Sequence, residues 1–279
     1  MISLICLVDN SARRGSAMWA EHGLAITIQT PHGKVLFDTG QSGVVLEHNA
    51  EQSRISLHEI NALAFSHAHY DHTGGLGRFL KYCRGGIPLY AHPDLLQERY
   101  SIKSSQPRSI GLRLPVTTIT QQIDLHLRAE PQQILPGLWT SGEIINRFEA
   151  EGRSEHHFIW VDGEWLQDPY RDDQALILEC SSGLVVVCGC CHAGLLNTIL
   201  HIQRLFSKDI HTIIGGLHLQ DASQEALSQT ISSLRDVFQG RIPQIFANHC
   251  SGEEAIIALH QAFPEKVHPC PAGTVLEFD

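Results

Sequence analysis

Long apolar runs are missing from this sequence. None approaches the roughly 20 residues that are needed to cross a bilayer. The first residues, "MISLICLVDNSARRG", contain a short apolar patch, but Asp9 interrupts it and Arg13 and Arg14 follow it. A signal peptide has the opposite order, with basic residues before the apolar stretch. We therefore expect a cytoplasmic protein without a membrane partner.

Basic residues are also scarce. The chain has 20 lysines and arginines against 30 aspartates and glutamates, which gives a formal net charge of -10. Nucleic acids and anionic membranes both require a basic surface. The charge balance therefore predicts no nucleic-acid partner, although a locally basic cleft remains compatible with it.

The cysteines lack the spacing of a disulfide framework. There are eight, and Cys188, Cys190 and Cys191 are too close together for structural disulfides between them. We interpret them as reduced thiols. The remaining composition, with 43% hydrophobic and 18% charged residues, is typical of a globular protein. A chain of 279 residues is long enough for one large domain or two small ones.

Short apolar segments alternate with stretches of helical spacing. In the first hundred residues, the predicted strands are "SLICLVDN", "GLAITIQT", "KVLFDTG", "NALAFSH" and "IPLYAH". The predicted helices are "GVVLEHNAEQS", "GGLGRFLKYC" and a helix that starts at "PDLLQERY", where proline suits the first turn. From Ala175 a hairpin, "ALILEC" and "LVVVCGC", precedes further helices and strands up to "GTVLEF". This alternation predicts sheets covered by helices.

The segment from about 101 to 173 differs from the rest of the chain. It is rich in proline, glutamine, arginine and glycine, and its periodicity is weak. Long irregular segments in compact domains are usually lids or binding loops. We therefore predict a single domain, 1–279, with a lid or insertion at about 101–173.

Metal-binding residue types are concentrated in "SHAHYDH", which holds His67, His69, Asp71 and His72. Side chains two apart in an extended segment point to the same side, so His67 and His69 can bind one ion. A turn after Asp71 would bring Asp71 and His72 to a second ion. Imidazole and carboxylate ligands suit zinc, iron or manganese.

Four more polar residues follow predicted strands directly. A polar side chain at the carboxyl end of a buried strand points into a cleft. The residues in this position are Asp38 in "FDTGQSG", His192 in "CGCCHAG", His218 in "GGLHL" and His249 in "FANHCSG". Their repeated placement predicts one shared site.

These motifs resemble those of the metallo-β-lactamase superfamily. "HAHYDH" matches its His-x-His-x-Asp-His signature, and "FDTG" resembles its first motif, in which Asp38 would support the metal histidines from behind. The resemblance implies an α/β fold, a four-layer αββα sandwich with a dinuclear metal site at the edge between the sheets. With "EHGLA", "GCCHAG", "GGLHL" and "HCSG", the motifs are similar to those of the dihydropterin ribofuranosylaminobenzene phosphate synthase-like subgroup.

The resemblance also suggests which residues bind two divalent ions, with zinc preferred over iron or manganese. The predicted ligands are His67, His69, Asp71, His72, His192 and His249. His218 is either a ligand or a catalytic acid or hydrogen-bond donor that faces the substrate. Many superfamily members have a bridging aspartate in this region, but the strand here ends in Gly189-Cys190-Cys191-His192, without an aspartate at the expected place. Cys190 either approaches the site as a thiolate or is a small buried residue on a tight turn.

Substrate contacts are predicted from weaker signals. His22 precedes a strand and either faces the cleft or has a capping role. Three basic residues of the predicted lid either bind a phosphate or are solvated charges: Lys103, Arg108 and Arg113. His156 and His157 are predicted to lie at the surface.

The predicted function is that of a metal-dependent hydrolase with a small, phosphorylated substrate. Two ions would generate a metal-bound hydroxide, and Asp71 would hold it in line with a phosphate ester or phosphodiester. The resemblance to the subgroup implies an alternative, a transferase that joins a dihydropterin to a ribosylated aromatic amine in a methanopterin-type pathway. A ligand-binding sensor without turnover is a third possibility. The residues do not separate hydrolase from transferase, because both need the same metals, and they leave the oligomeric state open.

Overall fold

The structure is a computed structural model that describes residues 1–83, 85–103 and 106–279. Its strands are β1 (Ile2–Val8), β2 (Ala25–Thr30), β3 (Gly33–Phe37), β4 (Ala62–Ala64), β5 (Ile87–Ala91), β6 (Arg99–Ser101), β7 (Arg108–Ser109), β8 (Ile123–Leu127), β9 (Gln133–Leu135), β10 (Leu138–Thr140), β11 (His157–Val161), β12 (Glu164–Gln167), β13 (Ala175–Cys180), β14 (Gly183–Cys188), β15 (Ile210–Gly216), β16 (Gln244–Asn248), β17 (Val267–Pro269) and β18 (Val275–Phe278). Its α-helices are α1 (Val44–Gln52), α2 (Tyr70–Thr73), α3 (Leu76–Phe79), α4 (Val116–Gln122), α5 (Leu195–Leu205), α6 (Gln224–Val237) and α7 (Glu253–Ala262).

The strands form two large sheets and one small sheet. The first has the order β18-β1-β2-β3-β4-β5-β8, the second has the order β17-β16-β15-β14-β13-β10-β9, and the small one has the order β12-β11-β6-β7. Strands β3, β4, β5 and β8 are parallel neighbours in the first sheet, as are β14 to β17 in the second. Parallel strands bring their carboxyl ends to one edge.

Three buried apolar clusters show the layering. One packs the outer face of the first sheet against α1 and α3, and a second packs the outer face of the second sheet against α5, α6 and α7. The third contains residues of both large sheets, such as Phe37 and Val187, and fills the space between them. The order helix, sheet, sheet, helix is the αββα sandwich that the resemblance implies.

Two parts of the predicted secondary structure are wrong. "PDLLQERY" forms one 3-10 turn, Pro93–Leu96, and then strand β6 rather than a helix. The side chain of Arg99 is buried. It donates a hydrogen bond to Asp168 (Nε–Oδ2, 3.0 Å) and forms an ion pair with Asp172 (Nη2–Oδ1, 2.7 Å), which fixes the chain in an extended path. Such tertiary contacts override local helix propensity.

The segment 101–173 is also more regular than expected. Strands β8, β9 and β10 complete the edges of the two large sheets, so the middle of the segment belongs to the sandwich. Among the described strands of the segment, β7, β11 and β12 form the small sheet with β6 and do not join the large sheets. The single domain with a lid stays a prediction. Among the described residues, no helix is long and apolar enough to span a membrane.

Candidate metal centre

The predicted ligands meet at the edge where strands of both large sheets end. His67 and His69 follow β4, and Asp71 and His72 lie in the short helix α2. His192 follows β14, and His249 follows β16. Gly74 and Gly75 let this loop pack against the carbonyls of Gln41 and Thr39, where a Cβ atom would overlap the backbone. The carboxyl ends of strands from both sheets therefore lie close together.

Three buried histidines form the three-histidine cluster, which is His67, His69 and His192. One ring nitrogen of each lies within 4.8 Å of the others, and Nε2 of His67 is 3.0 Å from Nδ1 of His69. His192 donates from Nδ1 to the carbonyl of Gly152 over 2.9 Å, and its Nε2 is buried without a hydrogen bond. Burial lowers the pKa of all three histidines well below the usual value. They are therefore neutral at pH 7, as a metal ligand must be.

The carboxylate cluster consists of Asp71, His72 and His249. Nε2 of His72 is 3.2 Å from Nε2 of His249, and Oδ2 of Asp71 is 3.3 Å from Nε2 of His249 and 3.6 Å from Nε2 of His72. Both imidazoles use Nδ1 elsewhere, on Oδ2 of Asp38 (2.7 Å) and on Oδ1 of Asn10 (2.9 Å). Both of these oxygens are acceptors, because one is a carboxylate and the other also accepts from the backbone of Gly23.

Because both Nδ1 atoms donate, Nε2 of His72 and Nε2 of His249 face each other and the Asp71 carboxylate, each with a lone pair when its imidazole is neutral. This arrangement is repulsive unless a cation lies between the lone pairs. In the metal-free chain a proton can take that place: although burial opposes it, Asp38 and Asp71 raise the pKa of His72. Burial also opposes ionisation of Asp71, but His72 and His249 hold its pKa well below the usual range. The donor set fits a divalent ion.

Asp38 connects the two clusters from behind. It is fully buried and accepts hydrogen bonds from the backbone N–H of Ser66 (2.8 Å), from Oγ of Ser66 (2.7 Å) and from Nδ1 of His72 (2.7 Å). Oγ of Ser66 in turn accepts from Nδ1 of His67 over 2.9 Å. One carboxylate thereby orients a histidine in each cluster so that its Nε2 faces the site.

Cys190 lies beside the carboxylate cluster. Its Sγ is 3.2 Å from Nε2 of His72, and it shares possible metal-binding groups with His67 and His72 and with His249 and Cys250. Burial raises the pKa of its thiol well above the usual value in the metal-free chain. A bound cation reverses this effect, because a coordinating thiol loses its proton. Cys190 therefore belongs to groups of side chains that could hold a metal ion.

His22 and His218 lie at different sides of the centre. Nε2 of His22 is 3.3 Å from Oδ2 of Asp71, and the His22 side chain is 54% exposed, so it faces the site. The ring of His218 lies 4.3 Å from the ring of His192, but His218 is in none of the possible ligand groups of the described residues. Of the two predicted roles, that of a residue facing the substrate therefore stays a prediction.

The three basic residues are exposed, and at least two of them are at the rim of the centre. Arg113 and Arg108 place their guanidinium groups 4.5 Å and 5.6 Å from the ring centre of Tyr70, the residue after His69. Stacking on an aromatic ring restrains an arginine without neutralising it. Lys103 lowers the pKa of His157, behind burial and His218 as causes, so its charge also acts near the centre.

Sequence reasoning missed His157 and Tyr170. The ring of His157 is 5.2 Å from that of His69 and its Nδ1 is 2.8 Å from Oη of Tyr170. Tyr170 is buried and stacks on His192, with ring centres 4.3 Å apart. The pattern that marks the other site residues does not apply, because His157 lies at the start of β11 and not at the end of a strand.

Two facing sheets with ligand clusters at their common edge define the metallo-β-lactamase fold, and residues 34–136 match the family model of the beta-lactamase superfamily domain. These matches support the resemblance of the chain to the metallo-β-lactamase superfamily. It is 27% identical to a crystal structure of a metal-dependent hydrolase of the beta-lactamase superfamily, with all of both chains covered and a TM-score of 0.84.

Two other relatives cover nearly the whole chain. The 7,8-dihydropterin-6-methyl-4-(beta-D-ribofuranosyl)-aminobenzene-5'-phosphate synthase of Methanocaldococcus jannaschii is 26% identical, over 99% of this chain and 97% of its own length. Zinc-bound PqqB from Methylobacterium extorquens shares the fold at 13% identity, with a TM-score of 0.56, over 99% of this chain and 100% of its own. The resemblance to the synthase subgroup is thus confirmed in sequence.

Proposed function

We propose that the protein is a metal-dependent hydrolase that acts on a small phosphate ester or phosphodiester. The observation that carries this proposal is the pair of ring nitrogens, Nε2 of His72 and Nε2 of His249, which face each other at 3.2 Å next to Asp71. A proton or a metal ion must lie between two such nitrogens, and the donor set of the cluster fits a divalent ion. The three-histidine cluster next to it supplies a second set of neutral ligands.

The residues divide into two sets of ligands for two divalent ions, zinc first, with iron or manganese as alternatives. The three-histidine cluster would hold one ion, and the carboxylate cluster would hold the other with Cys190 in reach. Bound ions would supply Lewis acidity at a phosphoryl group and would lower the pKa of a water molecule towards neutrality.

The side chains have separate roles around these ions. Asp71 is ionised, and its carboxylate can accept a hydrogen bond from the attacking water and so fix its direction. Arg108 and Arg113 can bind phosphate oxygens, because the guanidinium fork matches two of them. His218 lies beside His192, where it can donate a hydrogen bond to the leaving group.

The test is a substrate screen of metal-loaded protein against phosphomonoesters, phosphodiesters, lactones and thioesters. We expect turnover of a phosphate ester, with Arg108→Ala weakening mainly the binding of substrate. The exposed Arg241, far along the chain, provides a matched control, Arg241→Ala, that should behave like the parent. Turnover of a lactone or thioester alone would contradict the phosphate specificity.

A transferase is the second candidate, and the 26% identity to the synthase over 99% of this chain favours it. Metal binding and phosphate binding would be the same, since a diphosphate leaving group needs the same charge stabilisation. The screen therefore includes a dihydropterin diphosphate with a ribosylated aromatic amine. Formation of a coupled product without hydrolysis of any ester would replace the hydrolase by the transferase.

A further inference from the structure

His157 lies next to the three-histidine cluster with one ring nitrogen held by the protein. Its Nδ1 is 2.8 Å from Oη of Tyr170, and its ring is edge-on to the ring of His69 at 5.2 Å. Among the residues that the structure describes, Nε2 of His157 has no hydrogen-bond partner. The side chain is partly exposed and Nε2 is not among the buried unpaired atoms of the described residues, so this nitrogen is available to a ligand.

The hydrogen bonds of Tyr170 decide which nitrogen of His157 carries the proton. The backbone N–H of Ser154 donates to Oη of Tyr170 over 3.2 Å, so the hydroxyl keeps its own proton for another acceptor. Within the described ranges, Nδ1 of His157 is the acceptor in reach. A buried hydroxyl that fails to donate is destabilising. Oη therefore donates to Nδ1, and Nε2 of His157 carries the imidazole proton.

Tyr170 is held in place by contacts that do not involve His157. Its ring stacks on His192 with an interplanar angle of 16°. Its backbone N–H donates to Asp168 over 2.8 Å, and its carbonyl accepts from Arg147 over 2.7 Å. The backbone has a φ of 47°, a strained value for tyrosine that these contacts offset. The donor to His157 is therefore fixed in position.

The surroundings of His157 favour an anion. The positive charges of Lys103 and Arg108 are near enough to act on His157. With Oη of Tyr170 donating to Nδ1, the neutral imidazole offers its N–H group at Nε2. Lys103 and Arg108 are exposed cations on the same side of the centre.

We propose that His157 is a substrate-binding residue: its Nε2–H group donates a hydrogen bond to an anionic oxygen of the substrate, and Tyr170 is the positioning residue that fixes this donor. The inference rests on the proposed function, because a phosphate oxygen is the anion that function brings to this side of the three-histidine cluster. A hydrogen bond to a charged group is stronger than one between neutral groups.

The first test measures the binding of inorganic phosphate to the zinc-loaded protein by titration calorimetry. His157→Leu removes the donor and should weaken phosphate binding about 10-fold or more. His157→Gln places an amide N–H near the position of Nε2 and should recover most of the affinity. His156→Leu is the matched control, because His156 is the adjacent histidine and its side chain is 43% exposed beside Glu155. It should bind phosphate like the parent. Zinc content and melting temperature confirm that each variant is folded and loaded.

The second test reads the tautomer directly by nitrogen-15 NMR of the histidine rings. The parent should show His157 protonated at Nε2, and Tyr170→Phe, which keeps the aromatic ring, should show a mixture of both tautomers. A proton on Nδ1 in the parent, or unchanged phosphate affinity in His157→Leu, would overturn the proposal.

The outcome also separates this proposal from the proposed function. If His157→Leu loses phosphate affinity and no phosphate ester is turned over, the role of His157 stands and the hydrolase fails. If the parent protein binds no phosphate, both fail.

Discussion

The two ligand clusters share an edge of the fold but differ in charge. The three-histidine cluster consists of neutral, buried imidazoles, whereas the carboxylate cluster contains the ionised Asp71 and has the Cys190 thiol 3.2 Å from His72. A divalent ion in the carboxylate cluster would have its charge largely balanced, whereas one in the three-histidine cluster would keep its full charge. The three-histidine side of the centre would therefore be the more positive one. We expect an anionic substrate to approach this side, where His157 and His218 also lie.

Removal of the Asp71 carboxylate should have the largest effect, because it removes the charge that distinguishes the carboxylate cluster from the three-histidine cluster. We expect Asp71→Ala to lower turnover by about 10³-fold, since several kcal/mol of metal-dependent transition-state stabilisation would be lost. The far-UV circular dichroism should be unchanged, because Asp71 lies in the cleft and not in an apolar core. The exposed Asp124 gives the control Asp124→Ala. Activity of Asp71→Ala within tenfold of the parent would contradict its role.

Loss of the Asp38 carboxylate, which lies behind both clusters, should weaken metal binding in both, with a smaller effect than that of Asp71→Ala on turnover. We expect Asp38→Asn to lower the affinity for both ions about 10- to 100-fold, because residues that orient metal ligands have effects of this size. Ser66→Ala removes the hydroxyl that accepts from His67 but leaves the bond of Asp38 to His72. Because Oγ of Ser66 is also 3.3 Å from Nδ1 of His72, this variant should weaken the three-histidine cluster more than the carboxylate cluster. Competition with a chelator measures the affinity of each cluster for its ion. Equal losses of affinity at the two clusters in Ser66→Ala would contradict separate links from Asp38 to His67 and to His72.

The Cys190 thiol allows the two clusters to be distinguished by spectroscopy. If Cys190 binds the ion of the carboxylate cluster, the cobalt-substituted protein should show a thiolate-to-cobalt charge-transfer band in the near ultraviolet. Cys190→Ser should abolish the band. Cys191→Ser is the matched control, because Cys191 packs in the apolar core between the second sheet and its helices. A band that survives in Cys190→Ser would assign the thiolate to another cysteine, and its absence in the parent would return Cys190 to a packing role.

The smallest predicted effect is on the stability of the metal-free protein at acid pH. Burial holds the pKa of His192 well below the 6.5 of an unperturbed histidine. Below about pH 6.5 the unfolded chain therefore binds a proton that the folded chain does not. The contribution of His192 to stability is complete above this pH and is lost as the pH falls.

His192→Gln should make the free energy of unfolding fall less steeply between pH 6.5 and 5. The difference in slope is at most about 1.4 kcal/mol per pH unit, which corresponds to one proton. Burial raises the pKa of Asp172 to about 7, which acts in the opposite direction in both proteins, so the difference between the two slopes is the quantity to compare. Urea unfolding of chelator-treated protein measures it, and identical slopes would contradict the neutral state of His192.

The sandwich was predicted from the resemblance to a known superfamily, since the alternation of strands and helices alone predicts only sheets covered by helices. The positions of the main candidate ligands were predicted from a local pattern. His67 to His72, His192 and His249 each follow an apolar strand, and the carboxyl ends of parallel strands meet at one edge. The role of His22 needed the structure, since its distance to Asp71 depends on how two separate loops pack.

The contribution of segment 101–173 could not be predicted from its sequence. Strands β9 and β10 have only three residues each, too few for a visible alternation. The turn at Pro93 does not continue as a helix because Arg99 is held by Asp168 and Asp172. These aspartates are about 70 positions further along the chain, so no local pattern predicts the contact. His157 is held beside the three-histidine cluster by its hydrogen bond with Tyr170, which again has no signature in the local sequence.

Metal content is the most direct test of the central claim that two distinct clusters each hold one ion. Elemental analysis of carefully purified protein should find about two transition-metal ions per chain in the parent, as a two-metal site requires. His192→Ala, in the three-histidine cluster, and His249→Ala, in the carboxylate cluster, should each retain about one. A parent protein without stoichiometric transition metal, or two variants that both keep the full parent content, would contradict the account.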